Sequence, residues 1–158
     1  MIKEEILEVA EKLAGDTNYK IGSMIEIPRM CITAEQIAPH CDFLSFGTND
    51  LTQFTMGISR DDAGSFLEMF VERGIYNRDP FQTIDQEGVG VLMKMCIDKA
   101  KAANPNIHIG ICGEHGGDPE SVEFCHTIGL DEVSCSPFRI PLAMLAAAQA
   151  AIKETMGL

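Results

Sequence analysis

"DFLSFGTNDLTQFTMG", residues 42–57, holds the pattern on which the fold turns. Its first part, "DFLSFG", is a short apolar run of strand length, and "NDLTQFTMG" follows at helical spacing. Between them stands Gly47, and just after it an amide, Asn49, and an acid, Asp50. A strand that feeds directly into a helix, with polar side chains gathered at the junction, is one βα unit.

The same arrangement recurs outward from this stretch. "YKIGSMIEI" (19–27) reads as a strand stopped by Pro28, with Glu26 near its end. "IHIGIC" (107–112) is a strand ending in Cys112, and "GEHGGD" makes a glycine-rich bend after it. "DPESVEFCHTIG" (118–129) is then a helix, with Asp118 as N-cap and Pro119 at the first position. "DEVSCS" is a last strand with Ser134 and Ser136 at its end, and "RIPLAMLAAAQAAIKE" a closing helix.

Three further helices frame these units. Residues 4–14 place Ile6, Leu7, Ala10 and Leu13 on one stripe, and Thr33 with Gln36 forms a capping box for "TAEQIA". Residues 83–103 read as a helix capped by Thr83 and Gln86, with Val89, Leu92, Met95, Cys96 and Ala100 inward. Residues 58–82 are charged and read as a long loop with a short helix near 64–72.

Four apolar strands, each followed by helix, belong in a parallel sheet covered by helices, an α/β fold. Alternation alone does not separate a doubly wound sheet from a barrel. The unusual polar residues all fall at carboxyl ends of strands, where both architectures place their sites. Several strands converging on one site favour the barrel. A full (β/α)8 barrel takes about 250 residues, so a single domain over 1–158 amounts to roughly half of one.

The bulk numbers exclude several classes. Net charge is −12, which argues against a nucleic-acid partner. No apolar stretch approaches the roughly 20 residues that cross a bilayer, so no membrane partner is expected. The opening "MIKEEILEVAEKL" is helical rather than a signal peptide, and a cytoplasmic location with reduced thiols is expected. The six cysteines make no Cys-x-x-Cys pair, which disfavours zinc-ribbon and thioredoxin readings. Cys112 is set apart from the others by its place on the bend.

Two carboxylates need explaining. Glu26 has apolar neighbours on both sides, so Arg29, a helix N-terminus or a divalent cation must meet it. Asp50 repeats the pattern, with helix capping by Asp50 or Asn49 as the alternative to metal binding. Two carboxylates, completed by substrate and water, are how Mg²⁺ is usually held. Residues 48–50 also offer backbone N–H groups at a helix start, suited to an anion. Arg60 is either a phosphate contact or a surface partner of the adjacent aspartates. His115 reads as a loop histidine satisfied by its surroundings.

"GSMIEIPR", "FLSFGTNDLTQ", "SRDDAG", "GICGEHGGDP" and "GLDEVSCSPFRIPLAMLAAAQA" together resemble the C-terminal part of the phosphoenolpyruvate-utilising enzymes, in order and register from about Lys20 to Ile152. "SRDDAG" and the His-Gly-Gly after "CGE" resemble the dikinase branch of that family. The resemblance implies a (β/α)8 barrel that binds phosphoenolpyruvate and pyruvate, of which this chain holds the last four βα units. It implies Glu26 and Asp50 as ligands of Mg²⁺, with Mn²⁺ as a substitute, and Cys112 as the acid/base at the methyl carbon of pyruvate. Asn49 is then a substrate-contacting amide, the Thr48–Asp50 backbone lies near the substrate carboxylate, and Arg60 contacts phosphate.

The phosphohistidine and ATP-binding domains of such an enzyme would lie upstream. The isolated half-barrel is expected to be inactive and, with unpaired strand edges, a homo-oligomer. The alternatives are another branch of the family, such as the synthase or enzyme I of the sugar phosphotransferase system, and a non-catalytic half-barrel that assembles with a partner chain.

Overall fold

A computed structural model describes residues 2–157. Four strands form one sheet: β1 (Gly22–Ile25), β2 (Phe43–Gly47), β3 (His108–Cys112) and β4 (Glu132–Val133). Every neighbouring pair is parallel and the spatial order is β1-β2-β3-β4. Each strand thus lies beside its neighbour in sequence. A doubly wound sheet reverses that order at a switch point, and a barrel never does. The architecture is that of a partial (β/α)8 barrel.

Helices fill the connections. Helix α1 (Ile2–Leu13) leads, and α2 (Pro28–Ile32) and α3 (Ala34–Ile37) join β1 to β2. Helices α4 (Thr48–Met56), α5 (Arg60–Ala63), α6 (Leu67–Glu72) and α7 (Val89–Ala103) lie between β2 and β3. Helix α8 (Pro119–Thr127) precedes β4, and α9 (Ile140–Met156) follows it. No helix among the described residues is long and apolar enough to cross a membrane.

Alternation along the strands divides the sheet into two faces. Ile25, Leu44, Phe46, Ile109 and Ile111 are buried against Val89, Met93, Cys96 and Ile97 of α7. The opposite face carries Met24, Ser45, Gly110 and Glu132, with Met24 46% exposed. Only one face of the sheet is therefore covered by helices in this chain, where an apolar strand pattern predicts cover on both.

Local expectations fare unevenly. Asp118 caps α8 as its sequence implies, accepting from Ser121 N at 2.9 Å and from Ser121 Oγ at 2.6 Å. Thr33 does not form its capping box: its hydroxyl donates back to Arg29 O at 2.9 Å, continuing the turn of α2. Helix α7 begins at Val89 with Gly88 as its N-cap, five residues later than the Thr83 cap predicts. The reason is tertiary. The Ile84 N–H is taken by Ser121 Oγ of α8 at 3.0 Å, and Asp85 accepts from Glu87 N and Val89 N at 3.2 and 3.3 Å.

The buried stripe of α7 runs through Val89, Gly90, Met93, Cys96, Ile97 and Ala100, so it is rotated away from the expected Met95, which is exposed. The stripe of α1 is covered only in part: Leu7 and Ala10 are half-buried, but Ile6 is 47% and Leu13 80% exposed.

Candidate active site

Glu26, Asn49 and Cys112 gather at the carboxyl edge of the sheet, and Asp50 stands exposed in the first turn of α4. Ile25, Phe46 and Ile111 pair across β1, β2 and β3, and one position further Gly47 pairs with Cys112. Glu26 lies at the same level on the β1 side. On the other side Ser134 N donates to Ile111 O at 2.9 Å. By alternation this row belongs to the face that the helices leave open.

Gly47 makes room for Glu26. A Cβ placed on it would lie 3.1 Å from Glu26 Oε2 and 3.0 Å from Met24 Sδ. Neither Glu26 nor Asp50 makes a side-chain hydrogen bond or ion pair with the described residues, so Arg29 does not neutralise Glu26. The capping alternative fails as well, since the N-cap of α4 is Gly47 and no side chain caps that end. No cluster of three or more His, Cys, Asp or Glu side chains exists among the described residues. Two uncommitted carboxylates, one at a strand end and one in the first turn of α4, nevertheless fit Mg²⁺, which keeps water and substrate oxygens in its shell and takes few protein ligands.

Asn49 is oriented by the bend after β3. Its Oδ1 accepts from Glu114 N at 3.4 Å, which leaves its amide hydrogens for a ligand. The Thr48 side chain points away from the open face. It is buried, with Oγ1 3.2 Å from Cys112 O and 2.7 Å from His115 Nδ1. What residues 48–50 offer to an anion is therefore their backbone.

Cys112 is half-buried, and its thiol donates to Phe46 O at 3.4 Å. Gly113 follows at φ 108°, a conformation that L side chains rarely adopt, and a Cβ there would stand 3.2 Å from Thr48 Oγ1. At Gly116 a Cβ would lie 2.1 Å from Ser134 O, so the bend can lie against the end of β4 only as glycine. The other thiols differ in setting. Burial pushes Cys125 up to about 12, and Cys96 is pushed up by its bond with Cys31 and by burial. All six cysteines are free.

Arg60 opens α5 and pairs with Glu114 at 3.3 Å rather than with its neighbours Asp61 and Asp62. Both groups are exposed, so the pair contributes little to stability. They border a cavity of about 540 Å³ whose other walls include Leu67, Asp79, Phe81 and Arg139. Nothing local in "SPFRIPLAM" singles out Arg139 as a site residue. It reaches the bend through Gly117 O at 3.4 Å, a contact spanning 22 positions.

A thiol, an oriented amide and an unpaired carboxylate stand at the carboxyl ends of adjacent parallel strands of a partial barrel, with a second carboxylate in the first turn of α4. Residues 1–152 match the family described as PEP-utilising enzyme, PEP-binding domain, and the chain belongs to that family.

Within it, the chain is 56% identical over 157 residues to pyruvate, phosphate dikinase of Clostridium symbiosum, covering 97% of this chain and 18% of that protein. It is 60% identical over 149 residues to the chloroplastic pyruvate, phosphate dikinase of Flaveria bidentis, covering 94% and 16%. The chloroplastic pyruvate, phosphate dikinase 1 of Arabidopsis thaliana is 54% identical over 151 residues, covering 93% and 16%. The chain thus spans less than a fifth of the length of these relatives.

Proposed function

We propose that this domain binds phosphoenolpyruvate and pyruvate and serves their interconversion within a pyruvate, phosphate dikinase. The observation that carries the reading is the row Glu26, Gly47, Cys112 at one level of three adjacent strands, with Asn49 held over it from the start of α4. The relatives described above, each a pyruvate, phosphate dikinase, support the particular reaction.

Each residue has a part in that reaction. Glu26 and Asp50 would hold Mg²⁺, or Mn²⁺ in its place. A cation bound there supplies charge stabilisation for the substrate oxygens. The Asn49 amide and the first N–H groups of α4 orient the substrate's carboxylate, the helix dipole favouring negative charge. Arg60 is available to phosphate if its pair with Glu114 opens.

Cys112 moves the proton. When the phosphoryl group leaves phosphoenolpyruvate for a histidine carried on another domain, the remaining enol(ate) is protonated at its methylene carbon by the thiol. That gives pyruvate and a thiolate. In reverse, the thiolate removes a methyl proton and the enolate oxygen takes the phosphoryl group. The glycines around Cys112 let the substrate's carbon approach the sulfur closely.

The test is exchange of pyruvate's methyl protons in D₂O with Mg²⁺, in the full polypeptide that carries this domain. Cys112→Ser should lower the exchange rate at least about a hundredfold, the usual scale of a lost acid/base group. Exchange at the original rate would assign the proton to another residue.

A further inference from the structure

We propose that His115 is a positioning residue for Cys112, acting through the hydroxyl of Thr48 and anchored on its far side by the carbonyl of Pro80. The inference rests on the role given to Cys112 above. His115 is completely buried and has one partner at each ring nitrogen. Nδ1 lies 2.7 Å from Thr48 Oγ1, and Nε2 lies 2.9 Å from Pro80 O.

The proton placement follows from the partners. A carbonyl oxygen only accepts, so Nε2 carries the hydrogen. Nδ1 of the neutral ring is then a lone pair, and Thr48 must donate to it. A hydroxyl has a single proton, and Cys112 O stands farther from Thr48 Oγ1, at 3.2 Å. The nearer His115 Nδ1 takes the larger share of that proton and Cys112 O the smaller, so the ring fixes the hydroxyl while it still donates to the end of β3.

Three separate parts of the chain meet in this bond pair. Thr48 is the first residue of α4, which also carries Asn49 and Asp50. Pro80 belongs to the segment before α7, and His115 to the bend after Cys112. The ring spans 67 positions to Thr48 and 35 to Pro80. Nothing else among the described residues bonds α4, the bend and the 79–81 segment through a single side chain. A shift of this strut moves the thiol relative to Asn49.

Two substitutions take the strut apart. His115→Gln keeps a donor at the distance of Nε2 and loses the acceptor for Thr48. Thr48→Val removes the hydroxyl and keeps the shape. The readout is the rate at which iodoacetamide alkylates Cys112 in the folded chain, without metal or substrate. Mass spectrometry measures it relative to half-buried Cys135 of the same molecule.

We expect each single variant to raise the Cys112 rate about three- to tenfold, the scale of one lost hydrogen bond. The double variant should be no faster than either single one, because both remove the same link. Thr48→Ser should restore the original rate. In the unmodified chain, the nitrogen NMR shifts of His115 should show the Nε2-protonated tautomer.

An unchanged Cys112 rate in a folded variant, multiplying effects in the double variant, or an Nδ1-protonated ring would each overturn the proposal. If His115→Gln does not fold, the Thr48→Val and Thr48→Ser pair decides the matter alone. Because alkylation is followed without ligand, this result is separate from whether the domain binds a phosphoenolpyruvate mimic.

Discussion

His115 is harder to protonate in the folded chain than in the unfolded one. Burial is the main force lowering its pKa, and Arg60 adds to it, while the Pro80 carbonyl, Asp118 and Asp79 pull the other way. An unfolded histidine titrates near its ordinary value of about 6.5. As pH falls through that value, the unfolded chain takes up a proton that the native chain refuses, so stability falls until the lower native pKa is reached. As pH falls below about 6.5, the unmodified chain should lose stability faster than His115→Gln, by at most about 1.4 kcal/mol per pH unit, the slope set by one proton. Urea unfolding at several pH values measures this, and parallel profiles would refute it.

At the same scale, the legibility of the site divides cleanly. Glu26, Asp50, Asn49 and Cys112 declared themselves by standing at strand ends, which local pattern reveals. Arg139 and the partners of His115 did not, because contacts spanning 22 to 67 positions leave no local signal. The sequence could present His115 as a satisfied loop histidine, but it could not present Thr48 and Pro80 as what satisfies it.

Among the elements, the same division separates α8 from α7. Asp118 caps α8 through a neighbour three residues away, so sequence and structure agree. Asp118→Ala should cost about 0.5–2 kcal/mol, the range for a lost N-cap, toward the upper end because Ser121 Oγ also loses its acceptor. Thr83 looks like an equally good cap for α7. The bond from Ile84 N to Ser121 Oγ nevertheless keeps that segment out of the helix. Thr83→Ala should therefore stay within about 0.5 kcal/mol of the original chain. Denaturant midpoints of the two variants compare them directly, and a Thr83→Ala loss equal to that of Asp118→Ala would mean that Thr83 caps α7 after all. Tertiary hydrogen bonds decide where α7 begins, and no capping rule includes them.

For the whole molecule, the open surfaces are the consequence of its architecture. The outer edges of β1 and β4 pair with no other described strand. Alongside them, α1 exposes Ile6, Val9 and Leu13, and α9 exposes Leu142, Met144 and Leu145. Such apolar surface and free strand edges favour association. A net charge of −12 opposes it through repulsion that salt screens. We expect a dimer or larger species by sedimentation, shifted toward larger forms as salt rises. A monomer at micromolar concentration in high salt would contradict this.

Helix–strand alternation was readable, since each unit repeats one local pattern, whereas the strand order was not, because the same alternation serves a doubly wound sheet and a barrel. The uncovered sheet face was not, because an apolar strand says that it wants cover and nothing about what covers it.

The central claim is that Glu26 and Asp50 hold a divalent cation beside the Cys112 strand end and so create a site for an enolpyruvate-like anion. Calorimetric titration of the chain with oxalate, with and without Mn²⁺ and beside Glu26→Gln, tests it most directly. We expect oxalate to bind only when Mn²⁺ is present and the Glu26→Gln chain to lose that binding. No binding by the unmodified chain, or binding indifferent to Mn²⁺ or to Glu26, would contradict the claim.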